Sequence, residues 1–131
     1  KKGIFILCRT SNPSSIQFQG SLNDINPIFK KVAILANDLN QKDNVGLVVG
    51  ATAINELQMI REISPNLSLL IPGIGAQGGN LEESVRIGNN SSSALINISR
   101  SISFAGDMSE KAIRSSAENY VNQMKNILNG K

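Results

Sequence analysis

Histidine is absent from this chain, and cysteine occurs once, as Cys8. The first absence removes the usual acid–base side chain near neutral pH, the Ser-His and Cys-His nucleophile pairs, and the commonest metal ligand. The second excludes an intrachain disulfide. Tryptophan is missing too, and aromatics are only 4% of the 131 residues, too few to build a stacking platform for single-stranded nucleic acid. No block of basic residues stands out, and the formal charge of +3 is spread along the chain. Such a balance suits a small anionic ligand, and nucleic acid is not expected as a partner. No apolar run approaches the roughly 20 residues needed to span a bilayer, so no membrane partner is expected either. The segment from Lys1 to Cys8 begins like a signal peptide. Its apolar part is short, however, and gives way to Arg9 and a polar loop, which reads as a strand.

What remains is ordinary globular material, 40% hydrophobic and 18% charged, enough for one domain over residues 1–131 and too little for two. Four short, continuous apolar segments read as buried parallel strands: Ile4 to Cys8, Val45 to Val49, Leu67 to Ile71 and Ala94 to Ile98. Helical patterns lie between them. One opens near Pro27 and carries Ile28, Val32, Leu35 and Leu39 on one face. A second runs from about Ala53 to Ile63 and is stopped before Pro65, with Thr52 as its expected N-cap. A third spans Leu81 to Ile87 and ends at Gly88. A short helical turn is expected through Phe104. The last helix opens at Ser109-Glu110 and carries Ile113, Ala117, Tyr120, Met124 and Leu128. The order is four β-α units, which fit either a small open doubly wound sheet or half of an eight-stranded β/α barrel of about 250 residues. Periodicity does not separate the two.

The stretch from Leu70 to Asn80, Leu-Ile-Pro-Gly-Ile-Gly-Ala-Gln-Gly-Gly-Asn, sends a buried strand into a glycine-dense turn and then a helix. Glycines permit positive φ and close approach of backbone to ligand. Exposed N–H groups in such a turn, with a helix N-terminus behind, suit an anion. Glycine-rich strand-to-helix turns are also common with no ligand at all. No Gly-Lys-Ser/Thr follows, so this is not a Walker loop. Gly73, Gly75 and Gly78 fit a G-x-G-x-x-G spacing, but the acidic residue that a dinucleotide site needs about 20 residues on is replaced by serines.

Asn97-Ile98-Ser99-Arg100-Ser101-Ile102 ends another strand with an arginine, whose planar fork of donors matches phosphate. In β/α barrels, phosphate sites recur in the loops after the seventh and eighth strands. Gln77 and Arg100 occupy those loops if the four strands are the last four of a barrel. Arg9-Thr10-Ser11-Asn12-Pro13 follows the first strand; taken alone it reads as a turn, and with a ligand it would be a polar clamp on a heterocycle. Cys8, inside an apolar strand, reads as packed rather than reactive. Glu82, Glu83 and Asp107 read as charges complementing helix dipoles.

Taken together, Thr10-Ser11-Asn12-Pro13, Val49-Gly50-Ala51-Thr52, Pro72-Gly73-Ile74-Gly75-Ala76-Gln77-Gly78-Gly79 and Ser99-Arg100-Ser101-Ile102 resemble the second half of orotidine 5′-phosphate decarboxylases, closest to their larger bacterial-type subgroup. The likeness covers essentially the whole chain, and the Pro-Gly-Ile-Gly-Ala-Gln-Gly-Gly segment is its most specific part. The resemblance implies an α/β fold, the C-terminal half of a (β/α)8 barrel. It implies a cytoplasmic, usually dimeric enzyme that converts orotidine 5′-monophosphate to uridine 5′-monophosphate without cofactor or metal. On it, Ser11 would bond the pyrimidine, Gln77 would bridge base and phosphate, and Arg100 would grip the phosphate beside the backbone at Ser99. Pro72 would shape the pocket, and Gly75, Gly78 and Gly79 would form the phosphate loop. Many members carry glycine where Ser99 stands. The family's catalytic Asp-x-Lys-x-x-Asp has no counterpart here, so no catalytic residue is expected in this chain. The resemblance thus implies a fragment whose partner is the N-terminal half. Two alternatives stand beside it: a free-standing phosphate-binding α/β domain, or a sugar-phosphate decarboxylase or aldolase of the same barrel group.

Overall fold

The computed structural model describes residues 2–130. Four strands, β1 (Ile4–Arg9), β2 (Val45–Val49), β3 (Ser68–Pro72) and β4 (Ala94–Asn97), form one sheet in the order β1-β2-β3-β4. All three pairings are parallel. This order decides between the two architectures left open by periodicity. A doubly wound sheet reverses its strand order at a switch point; here the strands follow one another without reversal, as in a β/α barrel.

Six helices accompany the sheet: α1 (Ser15–Gln19), α2 (Ile28–Leu39), α3 (Ile54–Ile63), α4 (Leu81–Gly88), α5 (Arg100–Ser103) and α6 (Glu110–Leu128). Strand residues alternate between two faces. Cys8, Val45, Leu47, Val49, Leu69 and Ile71 point to the helices and are buried with Phe29, Ala33 and Ala36 of α2 and Leu57 and Ile60 of α3. Fully burying each such Leu or Ile contributes about 1.5–3 kcal/mol. Among the described residues, the opposite face carries no helix. There Leu7, Val48, Leu70 and Leu95 sit in register as one row across all four strands, and Leu7 and Leu95 at its ends are both 58% exposed. This is the face that fills the interior of a closed β/α barrel.

Local chemistry explains the helix ends. Pro27, with φ −64°, precedes α2. Ile63 is followed by Ser64-Pro65, which halts α3. Asn80 caps α4 by accepting from the Glu83 N–H at 3.1 Å, while its amide donates to the Glu83 carboxylate at 2.7 Å. Glu83 is thus a capping partner as well as a dipole-complementing charge. Ser109 caps α6 by accepting from the Ala112 N–H. Gly88, the last residue of α4, has no room for a side chain: a Cβ there would lie 2.7 Å from the Ala94 Cβ.

Three expectations need correction. Thr52 does not cap α3; the cap position is Ala53, with no side-chain bond. The third strand begins at Ser68 and the fourth stops at Asn97, because the β3–β4 pairing runs only from Leu69↔Ala94 to Pro72↔Asn97. Arg9 belongs to β1 instead of the loop after it. The β1–β2 register shifts between Leu7, which faces Val48, and Arg9, which faces Val49. An extra residue of this kind re-aims the next side chain, and it turns Arg9 to the helix side.

Candidate functional site: a polar cleft at the strand ends

The C-terminal ends of the strands carry the site. From β1 the chain leads to Ser11, which packs against Gly50 at the end of β2: a Cβ on Gly50 would lie 2.9 Å from the Ser11 N. From β3 it leads into the glycine turn, and from β4 into α5. A cleft of about 140 Å³ opens between these last two, lined by Pro72, Gly73, Ile74, Ala76, Gln77, Asn97, Ser99 and Arg100. Four of the side chains singled out by sequence, Pro72, Gln77, Ser99 and Arg100, therefore share one wall. Ser11 lies outside that lining but is tied to it, since its hydroxyl donates to Gln77 Oε1 at 2.9 Å.

The turn is built by backbone conformation. Gly73, Gly75 and Gly78 have φ of 106°, 75° and 77°, a region costly for residues bearing a Cβ. The N–H groups of Gly78 and Gly79 donate back to the carbonyls of Gly75 and Gly73 at 2.8 and 3.0 Å. These two glycines therefore hold the turn closed, and Gln77 stands exposed at its tip. The Ala76 N–H donates to Ser101 Oγ at 3.1 Å, which fastens the turn to α5. Ser116 of α6 in turn donates to the Ser101 carbonyl at 3.0 Å.

Arg100 opens α5 and is exposed, and its guanidinium has no hydrogen-bond or ion-pair partner among the described residues. Ser99 precedes it; its carbonyl accepts from the Ile102 and Ser103 N–H groups, and its hydroxyl leans toward Asn97 Oδ1 at 3.4 Å. A solvated guanidinium, two primary amides and a hydroxyl line one cleft, a set of polar groups suited to an anion with a polar neighbour. Nothing among the described residues groups three or more His, Cys, Asp or Glu side chains as a metal site would require.

Sequence reasoning missed a buried network behind Ser11. Arg9 pairs with Glu56 of α3 at 3.1 Å and bonds Ser15 and Gln19 of α1. An arginine closing an apolar strand, with an acid in the first turn of a neighbouring helix, was the available signal. Cys8 is packed as expected: it is 1% exposed, and its thiol donates to the Phe29 carbonyl at 3.2 Å. Burial pushes that thiol up to about 12, with nearby Arg9 opposing the rise.

Comparison with known proteins places this arrangement. The profile of the "Orotidine 5'-phosphate decarboxylase / HUMPS family" matches residues 1–114. The chain belongs to that family. It is 48% identical over 118 residues to the orotidine 5′-phosphate decarboxylase of Halorubrum lacusprofundi, covering 85% of this chain and 43% of that protein. Among solved structures it superposes on Leishmania donovani UMP synthase with a TM-score of 0.84 and 37% identity, over 96% of this chain and 28% of the other. The Methanocaldococcus jannaschii orotidine 5′-monophosphate decarboxylase, solved with the inhibitor BMP, matches with a TM-score of 0.62 and 26% identity over 88% of this chain and 49% of its own. The chain thus spans less than half the length of these relatives, and its four β-α units match part of a decarboxylase barrel.

Proposed function

We propose that this chain is the C-terminal, phosphate- and pyrimidine-binding half of an orotidine 5′-phosphate decarboxylase, the enzyme that converts orotidine 5′-monophosphate to uridine 5′-monophosphate and CO2. The observation that carries the reading is the cleft that Gln77 and Arg100 share at the ends of β3 and β4, with Ser11 from the end of β1 bonded to Gln77. Arg100 grips the phosphate, aided by the backbone at Ser99. Gln77 bridges phosphate and base, and Ser11 bonds the base. Pro72 shapes the pocket, while Gly75, Gly78 and Gly79 form the turn that faces the phosphate.

Binding through the phosphate, remote from the reacting carbon, is a source of energy that an enzyme can use to destabilise the bound carboxylate relative to the transition state. The acid–base and charge chemistry at that carboxylate comes from the other half of the barrel. The bare row Leu7-Val48-Leu70-Leu95 supports a complementary half closing over it. The complete enzyme works as a cytoplasmic homodimer without cofactor or metal.

Calorimetric titration with uridine 5′-monophosphate, with and without the complementary half-barrel, tests the proposal. Binding that appears or tightens with that half, accompanied by decarboxylation of orotidine 5′-monophosphate, supports it. Equal phosphate binding with and without it, and no decarboxylation, favours a free-standing phosphate-binding domain.

A further inference from the structure

Ser11 sits on a loop of short polar residues, which by themselves would leave its hydroxyl free to wander. The structure assigns a different state to it through the residue before. The Thr10 N–H donates to Gln19 Oε1 at 2.9 Å, while the Thr10 hydroxyl donates to Asn12 Oδ1 at 2.6 Å. The Thr10 carbonyl accepts from Arg9 Nη1 at 3.3 Å. Both sides of residue 10 are thereby fixed, and Ser11 is the next residue along.

The anchor itself is rigid. Arg9 is 4% exposed, and its guanidinium reaches Glu56 through Nε at 3.3 Å and Nη2 at 3.1 Å. Nη1 also bonds the Ser15 hydroxyl and Gln19 Oε1. A buried charge with its partners satisfied holds one geometry, because moving it would strand a charge in a poorly solvated place. One amide oxygen, Gln19 Oε1, thus accepts from Arg9 Nη1 and from the Thr10 N–H, and links the buried ion pair to the loop.

We propose that Gln19, backed by the Arg9–Glu56 pair, is a positioning residue that sets the Ser11 hydroxyl against Gln77 for nucleotide binding. This rests on the reading that Ser11 and Gln77 contact the nucleotide. Gln19 touches no part of the cleft and acts only through residues 10 and 11. Its amide nitrogen has no hydrogen-bond partner among the described residues, so the oxygen is the atom that matters. Glutamate in its place keeps that acceptor; alanine does not.

The test is a double-mutant cycle in the complete protein, reading kcat/KM for orotidine 5′-monophosphate. Gln19→Ala is expected to lower kcat/KM on the order of tenfold, the effect of leaving donors unpaired next to a contact made to ligand. Gln19→Glu is expected to stay within about threefold of the parent by keeping the acceptor. In a Ser11→Ala background the Gln19→Ala loss should nearly vanish, because a residue acting through another has nothing left to position. That last result separates positioning from a general loss of stability, which would persist in both backgrounds. If Ser11→Ala impairs turnover but the Gln19→Ala loss adds to it in full, or is absent, the positioning role is overturned while the nucleotide reading stands. If Ser11→Ala leaves kcat/KM unchanged, the nucleotide role of Ser11 falls, and the role of Gln19 falls with it.

Discussion

The Ser11 hydroxyl donates to Gln77 Oε1 at 2.9 Å across 66 residues of sequence. That bond joins the loop after β1 to the turn after β3 and passes over Gly50 and Ala51 at the end of β2. Glycine at position 50 is required for it, since a Cβ there would press on the backbone of Ser11. The site is therefore assembled across the mouth of the sheet instead of along one loop.

Two glycines in the turn should respond differently to the same substitution. Gly75 and Gly78 share a φ near +75°, but a Cβ on Gly75 would run into the Ser101 hydroxyl, whereas Gly78 faces open space. Gly78→Ala is expected to cost about 1 kcal/mol, the conformational penalty alone. Gly75→Ala should cost about 2 kcal/mol or more and break the Ala76–Ser101 bond. Urea unfolding of the complete protein and its affinity for uridine 5′-monophosphate would show both effects; equal losses at the two positions would contradict the strut role of Ser101.

Much of the fold is legible in the sequence. The four apolar runs became the four strands, and α2, α3, α4 and α6 lie in the predicted segments. However, α2 buries Phe29, Ala33 and Ala36 and leaves Ile28, Leu35 and Leu39 of its expected apolar face exposed. What was not legible depended on distant partners. The helix α1 has five residues, too few for a periodic pattern, and it follows Pro13 in a stretch that reads as loop. From sequence Arg9 reads as loop, since charge at a strand end usually meets solvent, whereas a register shift and Glu56, 47 residues away, bury it. The four polar motifs were visible one by one. That Pro72, Gln77, Ser99 and Arg100 line one cleft required the β3–β4 register.

Arg61 should prove to be a stability residue. It is 2% exposed, and its guanidinium donates to the carbonyls of Ser64, Pro65, Leu67 and Gly88. It thereby ties the ends of α3 and α4 to the start of β3, at the opposite end of the sheet from the cleft. Burial disfavours its charged form, and the carbonyl dipoles offset that cost. Arg61→Met leaves those carbonyls unpaired and should destabilise by about 2–4 kcal/mol in denaturant unfolding. Nucleotide affinity per folded molecule should be unchanged; a selective loss of affinity would contradict the assignment.

Cys8 gives a pH signature. Its thiol, ordinarily near 9.0, is pushed up to about 12 by burial. Between those values the unfolded chain loses the proton while the folded one keeps it, so stability falls as pH rises, by up to about 1.4 kcal/mol per unit. Below pH 9 the thiol contributes no slope. Cys8→Ala should flatten the alkaline limb of an unfolding-versus-pH curve by that amount. At pH 8 the native thiol should also resist alkylation until denaturant is added.

The deciding measurement is kcat/KM for decarboxylation of orotidine 5′-monophosphate by the complete protein, compared with its Arg100→Ala variant. Turnover by the parent, with kcat/KM lowered by about 2–4 kcal/mol-equivalents in the variant, is expected if Arg100 holds the phosphate. Turnover that ignores the substitution would remove Arg100 from the site, and no turnover by the parent would overturn the decarboxylase assignment itself.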